Sequence, residues 1–368
     1  MKKVVAFAVA LISVSKLTEI KANAWFKRTH IHIINEAFEV LKNDGKLRTI
    51  TLFKPFLDLI LYGGTVPDAK GDCDNGSGLH YYSPLNKFGL PNRQVAGYYP
   101  NRFGGFYKSA GTMIEENYTM ALIHWQNKRF NLASVSLGRV LHFISDICCV
   151  PHTTSRVCTG NPNNRHTAFE QYANKSCHQH KAQSAISTYE EYANLSIGQI
   201  ANRLAEASSG FYDELMSGRK IRYENIVRSA LPEAQIACAG IIVKFRKDIK
   251  KKILIDEKRY YQIMNMTSKM CLHNDGNVGP EIEGFRIKLN LDGTLGFENS
   301  AGDEVELSGK YKDFKLTCVD WENSIYRITC SKKFTRAFYE IPFLKRVIPA
   351  IYKPSNNSFQ WKISELNT

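Results

Sequence analysis

The apolar residues of this chain change their period once, near residue 260, and that change limits the fold more than any other feature. From Trp25 to about residue 255 they recur at helical spacing. Ile33, Ile34, Ala37, Phe38 and Leu41 mark one segment, and Leu132, Val135, Leu137, Val140, Leu141, Phe143 and Ile144 another. Ala230 to Phe245 reads as a further apolar helix that dissolves into lysines. After 260 the period falls to two. Phe285, Ile287, Leu289 and Leu291 alternate with polar residues and meet a turn signal at Asp292-Gly293. Lys315 to Val319, Ile325 to Thr329 and Phe359 to Ile363 are further strand candidates. The expected architecture is a mostly α domain, 25–255, followed by a small β-rich C-terminal domain, 260–368, for which a β-sandwich is one arrangement. The length of 368 residues suits one or two domains. Two irregular stretches, 62–105 and 151–166, interrupt the helical part, and long loops inside a compact helical domain are usually functional.

The first 24 residues stand apart. Val4 to Val14 is apolar, follows Lys2 and Lys3, and ends within reach of Ala22-Asn23-Ala24. That run is too short for a bilayer span of roughly 20 helical residues. It reads as a secretory signal, 1–24, whose removal leaves a secreted or periplasmic chain beginning at Trp25. With 43% hydrophobic and 23% charged residues the remainder is neither disordered nor collagen-like. The formal net charge is +14, of which residues 25–259 hold +10 and residues 260–368 only +1. Such a surface favours anionic partners (phosphate esters, anionic lipid or nucleic acid) without choosing among them. The lysines of 244–252 read as a solvated linker face; their functional reading is attraction to anionic lipid, about 1 kcal/mol per basic residue. Nine cysteines lie beyond the signal, an odd number, so at least one thiol is free or pairs between chains. Cys318 and Cys330 are a candidate pair across a hairpin, and Cys148-Cys149 reads as two small buried residues.

Histidines and carboxylates repeat one spacing. In chain order the set is Trp25, His30, Asp68, His80, His142, Asp146, His152, His166 and Glu170. His142 and Asp146 lie four apart, as do His166 and Glu170, so each pair points from one face of a helix. Neutral imidazole and carboxylate are what zinc takes, and such pairs present two donors at little entropic cost. Val140, Leu141, Phe143 and Ile144 embed the first pair in an apolar run. Unpaired buried charges there cost several kcal/mol each, and metal ligation removes that cost.

These residues resemble the three-zinc bacterial phospholipase C family, which includes the alpha-toxins, and the related three-zinc single-strand nucleases. The segments that carry the resemblance are ANA before Trp25, HIHIINEA (30–37), YGGTVPD (62–68), GLHYY (78–82), LHFISDICCVPH (141–152), HTAFE (166–170) and AQIACAGII (234–242), covering about 25–245. The resemblance implies three Zn2+ ions. One would take the Trp25 amine and carbonyl, His30 and Asp146. A second would take Asp68, His80, His142 and the bridging Asp146. The third would take His152, His166 and Glu170, with positions left for water and substrate. It also implies phosphodiester hydrolysis by metal-activated water, with Asp68 the candidate general base but a ligand first. His32, His124, His178, His180 and His273 match nothing in the family.

Glu170, the Asp68-to-His80 interval and the trailing β-domain fit the phospholipases. The short Trp25-to-His30 interval and LHFISD fit the nucleases. The expected function is therefore a secreted, toxin-like zinc phospholipase C. It would act as a monomer at a phospholipid membrane surface, on phosphatidylcholine or a related lipid. A single-strand nuclease or 3′-nucleotidase acting on nucleic acid is the alternative. Ala69 and Ser77 occupy the positions where choline-selecting members carry aromatics. Tyr81, Tyr82, Tyr98, Tyr99 and Tyr107 are the candidates for a different cation cage. Tyr352, Phe359 and Trp361 read as core strand residues, with interfacial aromatics as the other option.

Overall fold

The computed structural model describes residues 25–75, 77–84, 99–100, 106–153, 165–251, 255–273, 275, 277–280, 282–290, 292–306, 313–320, 323–330, 336–341, 346–351 and 360–366. The signal segment, Leu291, Tyr98, Tyr352 and Phe359 lie outside them, and the side chains of Ser77, Tyr99, Tyr107 and Cys330 are likewise not described.

Helix α1 (Lys27–Asn43) buries the stripe of Ile33, Ile34, Ala37, Phe38 and Leu41, with His30 on the same face. After α2 (Leu47–Phe53) and α3 (Leu57–Gly63) the chain runs through 3-10 turns at Val66–Asp68 and Ser77–His80 and a two-stranded ribbon, β1 (Tyr99–Pro100) with β2 (Phe106–Tyr107). Next come α4 (Ala110–Gln126), α5 (Phe130–Ile147), the single turn α6 (Val150–Thr153) and α7 (Arg165–Ser176). His152, expected in a loop, thus lies on a short helix. The domain is completed by α8 (Ile186–Asn194), α9 (Ile197–Ser209), α10 (Tyr212–Ser217) and α11 (Lys220–Asp248).

Among the described residues only α11 is long and apolar enough to cross a membrane, and most of that window is buried in the protein. It packs against α8 and α1 at the centre of the helical core. It begins ten residues before the expected Ala230 and runs on through the first lysines. Lys247 and Lys251 face solvent, yet three of the described lysines are ion-paired. Lys244 and Lys251 pair with Asp248 at 3.4 and 2.7 Å, and Lys247 pairs with Glu190 at 2.9 Å.

The period-two segment forms antiparallel strands: β3 (Tyr260–Asn265), β4 (Cys271–Leu272), β5 (Val278–Gly279), β6 (Phe285–Leu289), β7 (Leu295–Glu298), β8 (Phe314–Asp320), β9 (Ile325–Cys330), β10 (Arg336–Ile341), β11 (Arg346–Ile351) and β12 (Gln360–Glu365). Pairing runs β3–β6–β7–β8–β9–β12 and back to β3, so these six strands close a ring. The β10–β11 and β4–β5 hairpins extend from it. The β6–β7 turn falls where Asp292-Gly293 signalled it. Gly293 has φ of 84°, and the Asp292 carboxylate accepts from the Thr294 amide at 3.0 Å. Trp361 and Ile363 are buried among Tyr261, Phe285, Phe297, Leu316 and Tyr326 in one core, so Trp361 is a core residue. The β8–β9 register sets Cys318 opposite Tyr326 and Cys330 opposite Phe314. The two cysteines therefore stand four residues apart along the ladder, about 13 Å, and the expected disulfide between them cannot form.

Met120 and Ile123 of α4 belong to the strand core, not to the helical one. On the same helix the Thr119 hydroxyl accepts from the Cys318 amide at 3.1 Å, and His124 Nε2 donates to the Gly293 carbonyl at 3.2 Å. One helix thus fastens the two domains together.

Candidate metal centre

The i,i+4 pairs act as their spacing dictates. His142 and Asp146 leave one face of α5, and His166 and Glu170 leave one face of α7. The 3-10 turns after α3 bring Asp68 and His80 to the first pair, α1 brings His30, and α6 brings His152 to the second. All eight side chains converge, and seven are buried; Asp68 is the exception, at 11% side-chain exposure. Trp25 is buried beside them, its indole N–H donating to the Ser145 carbonyl at 2.7 Å.

The hydrogen bonds fix which nitrogen each ring presents. Ser145 Oγ donates to the His142 carbonyl at 2.7 Å and so accepts from His30 Nδ1 at 2.7 Å. His142 Nδ1 donates to the Gly64 carbonyl at 3.1 Å, and His152 Nδ1 to the His80 carbonyl at 2.9 Å. In the neutral form of each ring this leaves Nε2 as the lone pair. These lone pairs face one another and the carboxylates. His142 Nε2 lies 3.2 Å from Asp146 Oδ2 and from His80 Nδ1, and His80 Nδ1 lies 2.8 Å from Asp146 Oδ2. His30 Nε2 stands 3.5 Å from Asp146 Oδ1 and 3.7 Å from Asp68 Oδ2; neither His30 Nε2 nor Asp146 Oδ1 has a hydrogen-bond partner among the described residues. In the second group His152 Nε2 lies 3.0 Å from His166 Nε2 and 3.5 Å from Glu170 Oε1, and His166 Nε2 lies 2.6 Å from that oxygen.

Lone pairs in a dry interior repel unless a proton or a metal cation lies between them. Donors about 2.0–2.1 Å from a tetrahedral zinc stand about 3.3 Å from one another, which is the middle of the observed range. The donor set fits zinc.

The titration of these groups is divided: burial pulls the His142 ring down, but Asp146 and Asp68 outweigh it and raise it to about 9. Burial, reinforced by His142, holds the His30 ring well below the ordinary histidine range. Burial brings His152 down to about 4 and His166 down to about 3. These rings are neutral, the form a metal takes. Burial pushes Asp146 up, but His142 and His80 outweigh it and hold the carboxyl well below its usual range. Burial raises Glu170 and Asp68 above the usual carboxylate range.

Sequence reading missed the residues that aim these ligands. Gly63 and Gly138 let α3 and α5 touch backbone to backbone. A Cβ on Gly138 would stand 2.1 Å from the Ile60 carbonyl, and one on Gly63 2.1 Å from the Val135 carbonyl. That approach delivers the Gly64 carbonyl to His142. The paired glycines of YGGTVPD were the available signal. Tyr81 stacks on His152 with ring centroids 4.4 Å apart, whereas Tyr82 is buried with its amide on the His152 carbonyl at 2.9 Å, so only Tyr81 of this pair flanks the cluster. His32 turns away, with Nε2 toward the His180 carbonyl at 3.5 Å and Nδ1 toward Glu36 at 3.8 Å.

A sequence model of the family described as zinc dependent phospholipase C matches residues 29–218. No curated protein matches the chain by sequence. Two solved structures share its fold across both domains. The alpha-toxin of Clostridium absonum superposes with a TM-score of 0.52 at 14% identity, covering 92% of this chain and 98% of the toxin. The alpha-toxin of Clostridium perfringens, from avian strain SWCP, gives 0.52 at 16% identity, covering 92% and 96%.

Proposed function

The chain belongs to the zinc-dependent phospholipase C family, and from that premise we propose that it is a secreted hydrolase of the ester between glycerol and phosphate in membrane phospholipids. Its products are diacylglycerol and the phosphorylated head group, with phosphatidylcholine or a related lipid as substrate. We assign three zinc ions to the cluster. Trp25 holds one through its main-chain amine and carbonyl, together with His30 and Asp146. Asp68, His80, His142 and the shared Asp146 hold the second, and His152, His166 and Glu170 the third. Zinc bound there supplies positive charge for the phosphoryl oxygens and lowers the pKa of water toward neutrality.

The chain's own residues do the rest. Ser145, Gly64 and the His80 carbonyl lock the rings so that the donors need no reorganisation when substrate arrives. Asp68, at the exposed edge, is the carboxylate that substrate meets first; it serves as a ligand, since a carboxylate shared with a cation is a weak base. Residues 25–255 form the catalytic unit, and 260–368 act as the membrane-docking unit. The observation that carries this reading is that His30 Nε2 and Asp146 Oδ1 stand 3.5 Å apart, neither with a hydrogen-bond partner among the described residues, while His142 and His80 face the other oxygen of the same carboxylate. Glu170 and the strand domain favour lipid over nucleic acid.

A side-by-side assay of phosphatidylcholine, sphingomyelin and single-stranded RNA, with chelator and with zinc restored, tests the proposal. Head-group phosphate and diacylglycerol should form only with zinc. Release of phosphatidic acid refutes the cleavage position, and rapid RNA hydrolysis independent of lipid transfers the site to the nuclease reading.

A further inference from the structure

A cleft of about 420 Å³ opens where the two domains meet, and none of the residues lining it is an assigned metal ligand. α4, the turn between α8 and α9, and the end of α11 line it from the helical side, and β8 from the strand side. Val319 of β8, 40% exposed, stands at its mouth.

Charges of both signs face into this cleft without meeting. On one wall Lys244 and Lys251 share the carboxylate of Asp248, at 3.4 and 2.7 Å, and the Tyr118 hydroxyl donates to the same carboxylate at 2.8 Å. Two ammonium groups on one carboxylate leave a positive charge uncompensated. Glu115 lies three residues before Tyr118, about 4.5 Å back along the axis of α4, and lines the same cleft. Its carboxyl forms no hydrogen bond or ion pair among the described residues. Burial pushes that carboxyl up to about 7, outweighing the pull of Arg327. Gly198, the second residue of α9, keeps the space beside it clear: a Cβ there would stand 3.3 Å from Glu115 Oε1.

We propose that this cleft is a second binding site, for a phosphorylated amino alcohol, with the phosphate on Lys244 and Lys251 and the ammonium on Glu115. The choice of ligand rests on the lipid reading above, since such a molecule is a phospholipid head group, either still attached to its lipid or released by hydrolysis. The cleft and its charges do not depend on the zinc assignment. A zwitterion answers both walls at once through charge-assisted hydrogen bonds. Phosphate alone would lie beside the Glu115 carboxylate, a like charge, and an amine alone would lie beside the lysines, so the two walls together select against either half of the ligand.

Titration calorimetry of the zinc-loaded full chain with phosphocholine, choline chloride and inorganic phosphate tests the site. The zinc centre offers phosphate a place of its own, so the cleft is read as a further site. Glu115→Gln, and separately Lys244→Met with Lys251→Met, should weaken that further site at least about tenfold, the loss of one charge-assisted hydrogen bond. Gly198→Leu, which fills the cleft and removes no charge, must weaken it as well, and keeps the test decisive if a charge variant fails to fold. Choline and inorganic phosphate should each bind there at least about tenfold more weakly than phosphocholine. Absence of a further site, an affinity unchanged by these variants, or phosphate binding as tightly as phosphocholine overturns the inference. None of these results touches the hydrolase reading, which fails instead if diacylglycerol is not released. Sedimentation with phosphatidylcholine vesicles identifies the source of the ligand. Vesicle association weakened in Glu115→Gln assigns the site to head groups in the bilayer; association unchanged beside lost phosphocholine binding assigns it to the free head group.

Discussion

Replacing Lys315 with methionine should destabilise the protein far more than a surface lysine would. Lys315 lies on β8 of the strand domain, 8% exposed, yet its partners belong to the helical domain. Its ammonium stands 3.3 Å from Asp74, in the loop between Asp68 and His80, and 3.7 Å from Glu116 on α4. Around it Arg139 pairs with Asp72 and Asp74, each at 2.6 Å, and Lys108 pairs with Glu116 at 2.5 Å. Asp72, Asp74 and Glu116 thus balance Lys108, Arg139 and Lys315, and Asp74 and Glu116 are each only 1% exposed. Burial pushes the Asp74 carboxyl up, but Lys315 and Arg139 prevail and hold it below the usual carboxylate range.

At an effective dielectric constant of 20, a charge pair 3.3 Å apart interacts by about 5 kcal/mol, against which stands the desolvation of lysine. Removing one partner from such a buried set costs about 3–5 kcal/mol. Methionine keeps most of the volume, so the loss is electrostatic. The double variant Lys315→Met/Asp74→Asn restores the balance of charge and should recover at least about half of the loss. Guanidinium unfolding with zinc present, followed by tryptophan fluorescence and circular dichroism, measures both. A single-variant loss below about 1 kcal/mol, the value of an exposed pair, or strictly additive losses in the double variant, refutes the reasoning.

Gly138→Ala should cost about 3 kcal/mol, the upper end of overpacking, because its Cβ meets only backbone atoms of Ile60, Gly63 and Gly64. It should also lower zinc content, since His142 lies one turn further on; Gly78→Ala, which meets nothing within 4 Å, is the control, and equal behaviour of the two would sink the helix-contact argument. Chelation should lower the thermal midpoint and zinc should restore it, an ion at a thousand times its Kd contributing about 4 kcal/mol; a midpoint indifferent to chelator would mean that the cluster is held together without metal. His124 provides a pH dependence away from the cluster. Burial lowers its value from 6.5 to about 4 despite the Gly293 carbonyl, with Arg129, Glu257 and Asp292 facing it. As pH falls through that interval the unfolded chain binds a proton that the folded chain refuses. Stability is therefore intact above pH 6.5 and falls by up to about 3 kcal/mol down to pH 4. His124→Gln should lose correspondingly less between pH 7 and 4.5, and identical losses would remove His124 as the cause.

The clustering of these histidines and carboxylates was legible in the sequence because helical geometry is local. Two pairs spaced by four, one of them set in an apolar run, could have no other arrangement than a common face. The strands at Phe285, Lys315, Ile325 and Gln360 were legible for the same reason, since alternation is read from neighbours. What was not legible depends on contacts between distant segments. Nothing near Gly138 announces that the Ile60 carbonyl will lie against it, and nothing near Lys315 announces that Asp74 will receive its charge. Met120 and Ile123 lie in the helical half of the chain, yet they pack into the strand domain.

The disulfide expectation failed for a related reason. Two cysteines twelve apart in a hairpin candidate invite pairing, but only the register decides, and the register of β8 on β9 is set by where the chain turns between Asp320 and Ile325. The lysine run is solvent-facing at Lys247 and Lys251, as read, but α11 keeps winding past its apolar stretch, which places Lys244 and Lys251 one turn either side of Asp248 and Lys247 over Glu190. Charge that is paired within the fold is not available to a membrane. Each such pair lowers the net charge this face presents, so the balance of the helical domain overstates what Lys244, Lys247 and Lys251 offer an anionic surface.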